Sequence, residues 1–195
     1  MLRVIGGEAK GRRLNILKGK TVRPTADRVK ESLFNILGEK IIEAEVLDLF
    51  AGVGSLGIES LSRGAKRAVF VDKGTASVRI VRENLALLDF HNRAEVYREE
   101  AGKAVRRLEQ RGDKFGLIFI DPPYGSDLAE KALWNLTESR IVEDKGTVVV
   151  EHYRKRIMPA EVGSLKLVRD ESYGDTSLSF YERTEDREQK TDYRL

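Results

Sequence analysis

The sequence lacks cysteine entirely and has only two histidines, four prolines and one tryptophan among its 195 residues. Without cysteine there can be no disulfide framework, no thiol nucleophile and no zinc site built on thiolates. Two histidines are too few for a histidine metal cage, so we expect no metal site. No stretch approaches the run of about 18 apolar residues that spans a bilayer, and the amino-terminal residues lack the apolar segment of a secretory signal. We therefore expect a soluble, cytoplasmic protein with no membrane partner.

The composition indicates a folded chain of one domain. Hydrophobic residues make up 41% and charged residues 34% of the chain, which is typical of globular proteins and unlike disordered ones. The net charge is +3, but residues 1–30 have a net charge of +7, because they contain two acidic side chains (Glu8 and Asp27) and nine basic ones: Arg3, Lys10, Arg12, Arg13, Lys18, Lys20, Arg23, Arg28 and Lys30. A basic end on an otherwise acidic chain favours a polyanion partner. An ordinary solvated basic face is the alternative.

Hydrophobic patterning predicts an α/β fold with a mostly parallel, seven-stranded sheet and helices on both faces. Helical segments alternate with short apolar strands, which we place at 46–50, 67–71, 94–97, 116–120 and 147–150. Two β-rich runs at 165–169 and 177–183 predict an antiparallel pair closing the sheet. We divide the chain into a basic amino-terminal hairpin or arm (1–23), one main domain (24–183) and a charged, disordered tail (184–195). Trp134 is expected in the core.

A glycine-rich turn follows the first strand of the main domain. Gly52, Gly54 and Gly57 fit the G-x-G-x-x-G pattern between a strand and a helix, where a ligand can approach the backbone closely. Asp72 lies about twenty residues further on, as expected of a carboxylate that binds a ribose. The pattern favours an adenosine cofactor over a purely structural turn. Asp48 would repel a pyrophosphate and suits a cationic cofactor, which favours S-adenosylmethionine; an NAD-dependent oxidoreductase remains the alternative of a different class.

A second motif, Asp121-Pro122-Pro123-Tyr124, follows the fourth predicted strand. Consecutive prolines remove two backbone donors and leave a stiff segment of carbonyl acceptors. The Asp121 carboxylate and the Tyr124 ring add a further acceptor and a stacking face. This combination predicts a site for a planar ring that carries an exocyclic amine. A strand exit capped by an aspartate is the purely structural interpretation.

The combined motifs RVIGGEAKGRRL, RPTADRVKESLFNIL, DLFAGVGSLGIESLSRGA and FIDPPY resemble those of the RsmD family of 16S ribosomal RNA guanine-N2 methyltransferases over about residues 3–183. The resemblance implies a Rossmann-like class I methyltransferase that transfers a methyl group from S-adenosylmethionine to the N2 amine of a guanine in 16S ribosomal RNA, with a partly assembled small subunit as a possible substrate. Because the same motif serves adenine, a DNA or RNA adenine-N6 methyltransferase is the nearest alternative.

The resemblance also implies roles for individual residues. The catalytic set would be Asp121, Pro122 and Tyr124. The cofactor would be held by Thr25, Arg28, Asp48, Gly52, Gly54, Asp72, Glu100 and Ala101, with Glu99 as the alternative to Glu100. From the positive charge of residues 1–30, rather than from the resemblance, we expect the basic arm to contact the RNA through Arg3, Lys10, Arg12, Arg13 and Arg23.

Overall fold

The structure is a computed structural model that describes residues 2–17, 25–123 and 127–184, with the backbone alone described at 25 and 26. Over these residues the helices are α1 (Thr25–Leu37), α2 (Ser55–Ser62), α3 (Thr75–Leu87), α4 (Ala101–Gln110) and α5 (Leu128–Thr137). The strands are β1 (Glu45–Asp48), β2 (Arg67–Asp72), β3 (Ala94–Arg98), β4 (Phe115–Ile120), β5 (Val142–Tyr153), β6 (Glu161–Val162), β7 (Leu165–Tyr173) and β8 (Thr176–Arg183). None of the described helices is long and apolar enough to cross a bilayer.

The strands form one mixed sheet in the order β3-β2-β1-β4-β5-β8-β7-β6. Strands β1 to β5 run parallel to one another, whereas β8 pairs antiparallel with β5 and with β7. The predicted fold class is confirmed, including the antiparallel carboxyl-terminal pair. The predicted number of strands is one too low, because β6 is only two residues long and pairs at the sheet edge.

Each face of the sheet is covered by its own hydrophobic core. Side chains alternate along β4, so Leu117 and Phe119 join one core while Ile118 and Ile120 join the other. The first core includes α1, α2 and α3, and the second includes α4 and α5. Burial on both faces explains why the parallel strands are almost uniformly apolar.

The amino-terminal arm is a short hairpin packed on the first core. Its two halves are joined by an antiparallel bridge between Arg3 and Arg13, and by hydrogen bonds such as Val4 N–H to Arg12 C=O at 2.9 Å. Leu2, Val4 and Leu14 are buried in the core beneath it. The arm is therefore held against the domain by apolar contacts.

A buried ionic cluster fastens this arm to α2. The Glu59 carboxylate is fully buried and accepts hydrogen bonds from the backbone N–H groups of Ile5 (2.8 Å) and Gly6 (2.7 Å). It also pairs with Lys30 at 3.3 Å and with Arg63 at 2.9 Å. Burial lowers the pKa of Lys30, an effect that the Glu59 charge opposes. Lys30 thus belongs to the core and adds nothing to the basic surface of residues 1–30.

The expectation that Trp134 lies in the core is wrong. Helix α5 buries Ala129, Ala132, Leu133 and Leu136, which share one helical face. Trp134 follows Leu133 directly, so it points about 100° away from that residue around the helix, and it is 56% exposed.

Candidate active site at the carboxyl edge of the sheet

The parallel strands bring three acidic residues to the same edge of the sheet. Asp48, the last residue of β1, is opposite Phe70 of β2 and Phe119 of β4. Asp72 and Asp121 each lie two residues beyond these partners. Because adjacent strands are about 4.8 Å apart and two residues span about 6.6 Å, the three acidic residues lie at one edge of the sheet, where open α/β sheets bind their ligands.

The glycine turn adopts a backbone conformation that requires glycine at two positions. Gly52 and Gly54 have φ values of 57° and 82°, in the left-handed region that side chains disfavour. Gly57 serves a different purpose, because a Cβ there would lie 2.3 Å from Cε1 of Phe70. Because glycine has no Cβ, α2 can pack directly on β2 at this position. Around Gly52, by contrast, an added Cβ would meet only one atom within 4 Å, at 3.9 Å, which leaves the turn open on that side.

Asp72 holds the turn in place. Its carboxylate accepts hydrogen bonds from the backbone N–H groups of Gly52 (2.9 Å) and Gly74 (2.7 Å), one on each oxygen. An ionised carboxylate has about four acceptor sites, and Asp72 is only half-buried. The remaining sites are suited to the hydroxyl groups of a ribose.

Asp48 is a buried carboxylate with unusual electrostatics. Burial raises the pKa of Asp48 to about 7, and the negative charge of Asp72 adds to this rise. The backbone N–H groups of Gly57 (3.2 Å) and Phe50 act in the opposite direction. Within the described residues Asp48 has no ion-pair partner. A cationic group bound beside the glycine turn would supply the missing countercharge.

The loop after β3 contains both candidate residues for an adenine contact. The Glu99 carboxylate is engaged by Arg107 at 2.9 Å, while its backbone N–H donates to the Asp72 carbonyl at 3.1 Å. Glu100 directly precedes α4, is exposed and makes no side-chain hydrogen bond to the helix end. The geometry therefore favours Glu100 over Glu99, with Ala101 as the first residue of α4.

The end of β4 carries the proline motif. Asp121 is half-buried and Pro122 is buried, while Pro123 is exposed. Sequence reasoning missed a second carboxylate beside them, that of Glu151. Ile120 of β4 and Val150 of β5 are partners across the sheet, and Asp121 and Glu151 are the residues that directly follow them. Continued alternation puts Asp121 on the face of Phe119 and Glu151 on the face of Val149, which both belong to the first core.

Of the remaining predicted site residues outside the rest of the arm, the structure describes the side chain of Arg28. Helix α1 starts at Thr25 and leads through a turn into β1, so its first residues, including the exposed Arg28, point toward the carboxyl edge. The Thr25 side chain, Arg23 and Tyr124 lie outside the described residues.

The basic side chains of the arm are exposed but do not form one patch. Arg3 and Arg13 are opposite each other in the backbone pairing of the arm. The Arg3 guanidinium lies 3.8 Å from the carboxylate of Asp27, in the first turn of α1. Arg12 instead donates to the carbonyl of Leu87, the last residue of α3. Helix α3 begins after β2 at the carboxyl edge, so its last residue lies toward the opposite edge of the sheet. The tip of the arm, with Lys10 in the adjacent turn, therefore lies near that opposite edge.

Comparison with known proteins shows which family the chain resembles. The family model described as Conserved hypothetical protein 95 matches residues 2–182. A Bacillus subtilis protein provisionally named an rRNA methyltransferase, YlbH, is 41% identical over 93% of this chain and 99% of its own. Ribosomal RNA small subunit methyltransferase D of Escherichia coli is 34% identical over 93% of this chain and 90% of its own.

Solved structures share the fold. An Escherichia coli structure provisionally described as a methyltransferase, yhhF, has a TM-score of 0.83 at 34% identity and covers 94% of this chain and 98% of its own. A more distant structure, SMU.776, is provisionally described as a methyltransferase and was solved with S-adenosylhomocysteine. It has a TM-score of 0.65 at 11% identity and covers 83% of this chain and 50% of its own. The family match, the sequence identities and the shared fold show that the chain belongs to the Conserved hypothetical protein 95 family, which is the family of the RsmD methyltransferases.

Proposed function

We propose that this protein transfers a methyl group from S-adenosylmethionine to the exocyclic N2 amine of a guanine in 16S ribosomal RNA. The observation that carries the proposal is the meeting of two motifs on adjacent strands: the glycine turn with Asp48 and Asp72, and the Asp121-Pro122-Pro123 segment. The names of the relatives, which describe methyltransferases of ribosomal RNA and of its small subunit, support the choice of reaction and substrate.

The chain's residues fit S-adenosylmethionine better than a dinucleotide. Asp72 would bind the ribose hydroxyl groups, Glu100 and Ala101 would flank the adenine, and the turn at Gly52 and Gly54 would approach the methionine end. The buried Asp48 carboxylate lacks a countercharge in the described chain, and it would pair with the cofactor's positive charge. A pyrophosphate beside Asp48 would be repelled, which argues against NAD.

Two carboxylates beside the proline motif favour guanine over adenine as the target. Guanine presents two hydrogen-bond donors on its Watson–Crick edge, N1–H and the N2 amine, whereas adenine presents N1 as an acceptor. Asp121 would accept from the N2 amine and Glu151 from N1–H. With adenine, Asp121 would still accept from the exocyclic amine, but Glu151 would face the N1 lone pair, which is unfavourable. N6-methyladenine is thus the less favoured product.

The chain's own groups would position the amine and take up its proton. Bound S-adenosylmethionine supplies an electrophilic methyl group on a sulfonium, so the transfer needs no covalent bond to the protein. Asp121 and the Pro122 carbonyl would accept hydrogen bonds from N2, aim its lone pair and disfavour its conjugation with the ring. As N2 gains the methyl it loses a proton, for which Asp121 is an acceptor. Proximity and orientation of this kind can supply up to about 7–11 kcal/mol.

The substrate RNA would be held outside this pocket as well as inside it. Tyr124 would stack on the extruded base, a contact worth about 1–3 kcal/mol. Arg3, Lys10, Arg12, Arg13 and Arg23 of the arm would contact phosphates, and a partly assembled small subunit is a substrate to test alongside free RNA.

Replacing Asp121 tests the proposal. Asp121→Ala should lose most of its methyl transfer to unmodified small-subunit ribosomal RNA while it binds S-adenosylmethionine normally, because the glycine turn is untouched. Asp127→Ala removes an exposed carboxylate six residues further on, whose partner is Lys131, and should leave both properties unchanged. Near-normal turnover in Asp121→Ala would contradict the assignment of this motif to the target amine.

A further inference from the structure

We propose that the loop between β5 and β6 (residues 154–160), together with Tyr153, is an RNA-binding surface that contacts the nucleotides flanking the target base. This inference rests on the proposed function, because it assumes an RNA substrate at the carboxyl edge. It adds a second phosphate-binding segment to the one proposed on the amino-terminal arm.

The position of this loop is the first argument. Strand β5 is parallel to β4, with Val150 opposite Ile120, and the loop starts four residues beyond Val150. At about 3.3 Å per residue, the loop begins roughly 13 Å past Val150 on the same edge as Asp121. Enzymes that extrude a base also contact its flanking nucleotides. The first residues of this loop are within reach of them, before the chain crosses to the opposite edge, where β6 pairs with the start of β7.

The loop is firmly held by the domain. Met158 is buried, and the Pro159 carbonyl accepts a hydrogen bond from the Tyr181 hydroxyl at 2.7 Å. Arg156 pairs with Glu130 of α5 at 3.0 Å. At the start of the loop, the backbone N–H of Arg154 donates to the Asp175 carbonyl at 2.9 Å. A surface held in this way loses little conformational entropy when it binds a partner.

The side chains that the loop presents suit single-stranded RNA. Arg154 and Lys155 are exposed, and neither side chain has a hydrogen-bond or ion-pair partner in the described part of the chain. Ile157 is 93% exposed and Tyr153 is 39% exposed. Free cations beside an aromatic ring and an apolar side chain match the phosphate and base contacts by which proteins bind single strands. The tip of the arm, by contrast, lies near the opposite edge of the sheet.

A salt series on RNA binding tests this surface. Removing two phosphate contacts should flatten the log–log salt slope by about 1.4 for a single strand, which corresponds to roughly 25-fold weaker binding at about 0.1 M salt. We therefore expect this change for Arg154→Ala/Lys155→Ala with small-subunit ribosomal RNA made by transcription, and an unchanged affinity for S-adenosylmethionine. Ile157→Ser should weaken RNA binding without changing the slope.

The matched control is Arg106→Ala/Lys114→Ala. It removes the same charge from two exposed side chains that also lack described partners, one on α4 and one just before β4 at the opposite edge. Its salt slope should equal that of the wild type. If the salt slopes of both double variants equal that of the wild type, and the wild type transfers methyl groups to RNA, this inference is overturned and the proposed function stands. A wild type that transfers no methyl group to RNA would overturn the proposed function itself.

Discussion

Asp48 should make the free protein less stable as the pH rises, and Asp48→Asn should remove that dependence. An aspartate whose pKa is about 7 when folded and near 3.8 when unfolded binds more protons in the folded state between these values. The free energy of unfolding therefore decreases as the pH rises through this window. Integration between about pH 5 and pH 8 gives a loss of about 2.6 kcal/mol from this one group.

The Asn variant keeps the shape of the side chain and has no charge to desolvate. Its amide group costs about 1–3 kcal/mol if it lacks a partner, but that cost does not change with pH. The difference in unfolding free energy, Asn variant minus wild type, should therefore increase by about 2.6 kcal/mol between about pH 5 and pH 8. Urea unfolding of the cofactor-free proteins at both pH values measures it directly.

The same variant should bind S-adenosylmethionine at least about tenfold more weakly, because hydrogen bonds and contacts to a buried charge are worth about 1.5–3 kcal/mol. At about pH 8 the substitution would thus relieve the desolvation cost of the Asp48 charge, and at the same time weaken cofactor binding. A stability difference that is the same at both pH values would refute the reasoning, since Asp48 would then be ionised throughout or not at all. Asp144→Asn, at an exposed position, is the control.

Three further substitutions test other parts of the account. Glu59→Gln should lower the free energy of unfolding by about 3–5 kcal/mol, because it leaves Lys30 buried without its countercharge; a urea midpoint equal to that of the wild type would contradict the role of the buried cluster. Gly57→Ala should cost about 1–3 kcal/mol through the contact with Phe70, and an unchanged melting temperature would mean that α2 can move away freely. Asp72→Asn should raise the calorimetric dissociation constant for S-adenosylmethionine at least about tenfold; equal affinity would argue against the ribose contact.

Local signals predicted the parts of the molecule that are encoded locally. The glycine turn was recognisable because its backbone conformation demands glycine, and the apolar strands because they are buried on both faces. Strand β5 extends over Val142–Tyr153, whereas the sequence predicts only 147–150. The prediction is too short because the strand also contains exposed polar residues and an irregular stretch that includes Lys145 at φ 61°. Such a segment has no period-two hydrophobic pattern.

Features that depend on distant pairings could not be predicted in this way. The Glu59 cluster joins α1, α2 and the arm, and only its Glu59–Arg63 pair is local in sequence, at positions i and i+4. Glu151 becomes a candidate for base recognition only through the register of β5 against β4. Trp134 illustrates the reverse error, because its apolar neighbours along the sequence lie on the other side of the helix.

The most direct test of the central proposal is identification of the methylated nucleoside. Labelled S-adenosylmethionine and wild-type protein would be incubated with small-subunit ribosomal RNA that lacks the modification, free and within partly assembled subunits, and the RNA digested to nucleosides. We predict labelled N2-methylguanosine. Labelled N6-methyladenosine as the sole product would contradict the assignment of the base, and no labelled nucleoside from either substrate would contradict the proposed function.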